Sequence, residues 1–213
     1  MTLPSFNIGL IDQFVRDQGQ LVSWYSSIQC PNHRTDTGDP LQICSQCSGY
    51  GIIWKSPVSV QGFITSVDQR SNYDIPGWWA KGECVFSPPT SIKPSRYDKI
   101  VLQQLIENTE VRTRGDDDHI SFMPNKIWEV IDTDNVQYSA SDFTISEGSK
   151  IKGQRSIIWA DDKGPAFGTR YSLKYDFKPE WLVFDIPLIR FANNVDLGRR
   201  VLLRRWDIAW VAA

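Results

Sequence analysis

Cys30-x-x-His33, a turn-rich stretch of ten residues, and Cys44-x-x-Cys47 bring four potential metal ligands into residues 30–47. Three of the chain's four cysteines and one of its two histidines fall in that span. Thiolates two residues apart on a tight turn project to one point, and two such pairs match the ligand count of a tetrahedral zinc site. Gly49 and Gly51 suit this knuckle, because glycine accepts positive φ and lets backbone amides approach the sulfurs. With Cys30, His33, Cys44 and Cys47 all bound, no coordination position stays open, so the expected metal is structural rather than catalytic. Two alternatives stand beside it: a pair of disulfides, or two separate turns with free thiols. Cys84, in a distant Trp-rich region, is the other candidate for the fourth ligand in place of His33.

The flanks of this segment predict what holds it. Residues 20–28 and 50–66 are rich in β-branched and aromatic side chains, and they read as a long two-stranded ribbon whose tip a zinc would clamp. A metal there fixes a register that a lone hairpin holds poorly in water. Before the ribbon, Ile8, Leu10, Ile11, Phe14 and Val15 recur at helical spacing, with Asn7 as N-cap and Gly19 as the stop. That helix either covers its own sheet or packs on a neighbouring subunit.

Beyond the ribbon the apolar period is two. Strands are expected at 83–87, 95–105, 126–132, 142–146, 156–160, 169–177, 181–185 and 199–211. In the 169–177 segment Tyr171, Leu173 and Tyr175 share one face and Arg170, Ser172, Lys174 and Asp176 the other. Pro76-Gly77 and Trp78-Trp79 mark an exposed aromatic loop or a core lid, and RTRGDDDH at 112–119 reads as a charged hairpin loop turning at Gly115 with solvated acids. Long helices are absent from the pattern, which argues against parallel βαβ architecture. The fold class is therefore mostly β: an antiparallel β-barrel with a zinc-clamped ribbon and an N-terminal helix. The expected division is 1–67 for helix and ribbon and 68–213 for the barrel or sandwich.

Composition narrows the function. The 213 residues carry a formal charge of −2, which gives neither a global basic field for nucleic acid nor an acidic excess for disorder. Nine Trp, ten Phe and seven Tyr suit β-structure and extended interfaces. No secretory signal or membrane-spanning stretch is read, so a soluble protein made in a reducing cytosol is expected. No Gly-rich phosphate loop, nucleophile elbow or paired-His motif occurs, and His119 is the only histidine outside the knuckle, so no enzyme is expected.

Three segments resemble the neck, or head-to-tail joining, proteins of tailed bacteriophages. They are the helix and strand leading into Cys44, Cys47, Gly49 and Gly51; RYDKIVL at 96–102, similar to the Asp-centred start of a barrel strand; and IIWADDKGPAFGTRYSLKYDFKPEWLVFD at 157–185. Together they cover about half the chain. His33 departs from the commonest zinc pattern, which carries a second cysteine pair. The resemblance implies a stopper-like barrel acting as a homo-oligomeric ring subunit in the virion, assembled in the host bacterial cytoplasm. Its implied partners are a portal or adaptor above and a tail terminator or tail tube below, with genomic DNA passing through without sequence-specific binding and no membrane contact. A baseplate or tail protein is the nearest alternative. A nucleic-acid-binding zinc ribbon, stacking bases on Trp24, Tyr25, Tyr50 and Trp54, is another.

Overall fold

The structure, a computed structural model, describes residues 8–32, 44–66, 83–115, 118–147, 155–186, 191–192, 195–196 and 200–206. Asn7, His33, the 76–79 loop, Arg199 and the 116–117 acids lie outside them. The chain opens with α1 (Ile8–Gln18), β1 (Gln20–Tyr25), β2 (Ser27–Gln29), β3 (Ile52–Trp54), β4 (Val58–Ser66), β5 (Glu83–Ser87) and β6 (Lys99–Leu102). It continues with β7 (Ile106–Thr113), β8 (His119–Ile120), β9 (Pro124–Asp132), β10 (Phe143–Glu147), β11 (Arg155–Trp159), β12 (Arg170–Phe177) and β13 (Glu180–Asp185). The short strands β14 (Phe191–Ala192) and β15 (Val195–Asp196) precede β16 (Val201–Arg205).

Two units divide the chain, Met1–Gln103 with Trp181–Arg205, and Gln104–Glu180 with Trp206–Ala213. The sequence boundary at 67 follows β4, whereas the units change after 103 and 180. In the first unit six strands close an antiparallel barrel in the order β1-β4-β5-β16-β13-β6. Alternation sends Val22 and Trp24 inward from β1, where they meet Val60, Phe86, Ile100, Leu102, Val183, Val201 and Leu203. Side chains fill this barrel, so it is a packed core rather than a pore. Gly62 is required by that packing: a Cβ there would stand 2.3 Å from the Phe86 ring. Helix α1 ends where Gly19 N–H donates to Val15 O, and Asp12 holds it in place by accepting from Thr90 N (3.0 Å) and Oγ1 (2.6 Å). Val15 is buried, while Leu10 and Phe14, expected on the packed face, are 63% and 58% exposed; Phe14 also lies against the Phe63 ring.

β6 closes against β13 through a bulge. Tyr97 N–H donates to Val183 O and Val183 N–H donates to Asp98 O, so two residues face one, with Tyr97 left-handed at φ 71°. Glycine is usual at that position; here the tyrosine takes it. Across the β16–β5 pair Arg204 forms an ion pair with Glu83 at 2.8 Å.

The second unit pairs two three-stranded sheets, β7-β12-β9 and β10-β11-β8. The face predicted for β12 is the buried one, with Tyr171, Leu173, Tyr175 and Phe177 packed on Ile120, Val130, Phe143 and Ile157. The 112–119 segment is not a hairpin, because β7 pairs with β12 while β8 pairs with β11. Gly115 does turn the chain, at φ 86°. Asp118 is not merely solvated: it accepts from Gly115 N (2.6 Å) and from the Tyr171 hydroxyl (2.9 Å).

A second carboxylate ties the turn after β9. Asp132 accepts from the Tyr138 hydroxyl (2.6 Å), Asp134 N (2.8 Å) and Val136 N (3.0 Å). The Tyr138 hydroxyl first, then the two amides, hold Asp132 below the usual carboxylate range against the effect of burial, and the tyrosine is pushed up to about 12. A depressed folded pKa contributes stability that is full above the unfolded value of about 3.9 and is lost as pH falls through the folded one. Asp132→Asn should therefore lower the unfolding midpoint of this unit at pH 7 and lose that difference on acidification, measured by denaturant titrations across pH 2–7.

Candidate metal centre

The two ribbon segments do pair, but much of their length is barrel wall. Trp24 lies opposite Val58 in β1 and β4, while the projecting part is β2 and β3, with Ser27 opposite Trp54 and Gln29 opposite Ile52. Cys30 follows immediately, its N–H donating to Gly51 O at 2.9 Å. On the other side Ser48 N–H donates to Cys44 O and Tyr50 N–H to Cys47 O, both at 2.8 Å, which folds the 44–50 segment into a knuckle. Three left-handed residues make that reversal: Ser48 at φ 48°, Gly49 at 78° and Gly51 at 73°. Glycine removes the Cβ penalty at two of them, as its placement suggested.

Cys30, Cys44 and Cys47 converge, their Sγ atoms all within 4.8 Å of one another, and all three are buried. Cys30 and Cys44 sulfurs are 3.7 Å apart. A disulfide needs about 2.05 Å, and all four cysteines are free thiols. Tetrahedral coordination at a Zn–S distance of about 2.3 Å separates sulfurs by about 3.8 Å, so the group is able to bind a metal ion. His33 lies outside the described residues. Cys84 is elsewhere, in the barrel core among Phe86, Leu203 and Val22, its thiol pushed up to about 12 by burial and then by the Glu83 charge. It is not in the thiol group.

The electrostatics of the group are uneven. Asn32 Nδ2 donates to Cys44 Sγ at 3.5 Å. This contact, followed by the backbone amides of Cys47 and Gln46, draws the Cys44 thiol down to about 6. Burial raises Cys30 in opposition. Three converging cysteines, one of them with a lowered pKa, suit binding of a cation with release of protons. Asn32 escaped the sequence reading, because its role depends on its placement beside Cys44, which lies fourteen positions from Cys30 in the chain.

The root of the projection is fastened by a residue read only as the start of a strand. Asp98 is 1% exposed, and it accepts from Ser27 N at 2.6 Å and Ser95 N at 2.8 Å. Ser27 Oγ donates to Arg96 O and Trp54 Nε1 to Tyr97 O, both at 2.9 Å. The bulged 96–98 segment thus holds both strands of the hairpin. Burial raises the Asp98 pKa, and the Ser27 and Ser95 amides oppose that rise. Trp24, grouped with Tyr25 as a stacking surface, is 2% exposed in the barrel core and cannot stack on a ligand, since neighbours in a strand face opposite ways.

No helix among the described residues is long and apolar enough to cross a membrane. In comparison with known proteins, no protein family matches this chain and no curated protein is significantly similar to it.

Proposed function

We propose that Cys30, Cys44 and Cys47, with His33 as fourth ligand, hold one structural zinc, and that the chain is a non-enzymatic ring subunit in the neck of a tailed-phage virion, joining the DNA-filled head to the tail. The observation that carries this reading is the thiol group itself, placed at the tip of a short hairpin projecting from a closed barrel. Soft thiolates at tetrahedral spacing suit zinc, and a set closed by His33 gives it a clamping rather than a chemical task. A filled barrel supplies a rigid body, and DNA would pass through the ring rather than through the barrel. Exposed Leu10, Phe14, Trp128 and Phe167 supply apolar area for contacts between copies or with the neighbours above and below. The carboxyl–tyrosine pairs, Asp132 with Tyr138 and Glu110 with Tyr175, are satisfied inside the fold, which fits a structural role.

Size-exclusion light scattering with metal analysis on one sample tests both parts. One zinc per chain in a ring-sized species, or a monomer that joins rings only on portal-bearing heads, is the expected result. A zinc-free monomer that ignores such heads would overturn the reading.

A further inference from the structure

The described parts of the ribbon, residues 20–32 and 44–66, contain no aspartate or glutamate. Beside them, the 96–99 segment contributes Arg96 and Lys99, and its one carboxylate, Asp98, is buried and bonded to two amides. Among the described residues of these two segments, the charges left at the surface are Lys55, Arg96 and Lys99, all cationic. This surface is also aromatic. Tyr25 lies opposite Lys99 in the β1–β6 register, so both point outward while their neighbours Trp24 and Ile100 fill the core. Lys99 Nζ stands 4.6 Å from the Tyr25 ring centre and 5.5 Å from that of Trp54. Trp54 meets Tyr50 edge-on at 5.8 Å, and the Arg96 guanidinium lies 5.0 Å from the centre of the Tyr97 ring, which is 39% exposed.

We infer that this surface at the hairpin root binds single-stranded nucleic acid, with Arg96 and Lys99 on phosphates and Tyr97 and Trp54 against unpaired bases. Cations interleaved with rings match a strand that alternates phosphate and exposed base, whereas an acidic peptide offers charge without π-faces, and a duplex offers phosphates with its bases already stacked. Recognition is expected to be largely independent of sequence, because stacking on ring faces and cation contacts to phosphates carry no base-edge readout. This goes beyond the neck reading and does not depend on it. Tyr97 occupies a left-handed position better suited to glycine or asparagine, and its ring is 39% exposed at the surface.

The test is fluorescence anisotropy of a labelled twenty-nucleotide oligothymidylate with the full chain over a salt series. Arg96→Gln with Lys99→Gln should flatten the slope of log affinity on log salt by about 1.4, the contribution of two phosphate contacts on a single strand. Tyr97→Asn removes the ring but suits the left-handed backbone, and should weaken binding about fivefold or more at fixed salt without changing the slope. Lys126→Gln, in the other unit, should change neither. Circular dichroism confirms that each variant is folded. Binding that is absent in the wild type at low salt, that survives both sets of substitutions, that falls equally with Lys126→Gln, or that is matched by duplex or polyglutamate would overturn the inference.

Discussion

Replacing Cys44 or Cys47 with serine should take the metal content from about one zinc per chain to about zero after dialysis against a chelator, disorder the hairpin beyond its root and abolish assembly, while the barrel stays folded. Serine keeps the size of the side chain but offers no thiolate, so the site loses a ligand without gaining a clash. What remains cannot hold the knuckle. β2 and β3 share three residue pairs, and an isolated hairpin is marginal in water even when longer. The turn also carries Ser48 at φ 48°, a conformation that costs energy outside glycine. The barrel, by contrast, buries none of Cys30, Cys44 and Cys47, since its core sulfur is Cys84.

That separation supplies the control. Cys84→Ala should keep the metal and cost about 1 kcal/mol for the small void it leaves. Metal analysis, amide exchange in the 27–30 and 50–54 segments, and light scattering check the set. A Cys44→Ser protein that assembles normally without metal would remove zinc from the account.

Much of the barrel and the knuckle could be read from residue types because both rest on local patterns. Two-residue alternation put Tyr171, Leu173 and Tyr175 on the buried face of β12, and the spacing of Cys44 and Cys47 with two glycines described a turn. What escaped was set by long-range pairing. β16 pairs with β5 across more than a hundred residues, and the strands of the second unit share the same period as those of the barrel, so periodicity could not assign them to a different sheet. Register decided the fate of Trp24 and Tyr25: both are aromatic, yet one residue's difference buries the first and leaves the second outside. Tyr97 and Asp98 escaped for a related reason, because a bulge is defined by its partner, Val183, more than by its own sequence.

Asp98→Ala should lower the stability of the barrel unit by about 2–4 kcal/mol at pH 7, since it removes a buried carboxylate and strands the Ser27 and Ser95 amides, each bond to it worth about 1.5–3 kcal/mol. In thermal unfolding this is a fall of about 10 °C. The effect should reach the hairpin through Ser27, whose N–H would lose its 2.6 Å partner, so exchange at Ser27 and at its cross-strand neighbour Trp54 should quicken. Metal content should not change, because no ligand is touched. This is the reverse of the Cys44→Ser pattern, where metal is lost and the barrel midpoint holds. The pH signature also differs from that of Asp132. Burial raises the folded pKa of Asp98, so the folded state binds the proton more readily than the unfolded chain, and the group's contribution falls as pH rises from about 3.9 through the folded value. The wild-type advantage over Asp98→Ala should therefore persist or grow on acidification, where that of Asp132 over asparagine vanishes. Denaturant midpoints of both variants across the same pH series separate the two carboxylates. An Asp98→Ala protein as stable as wild type would show that water replaces the carboxylate at Ser27 and Ser95, and that the hairpin root is held by the Ser27 and Trp54 side chains alone.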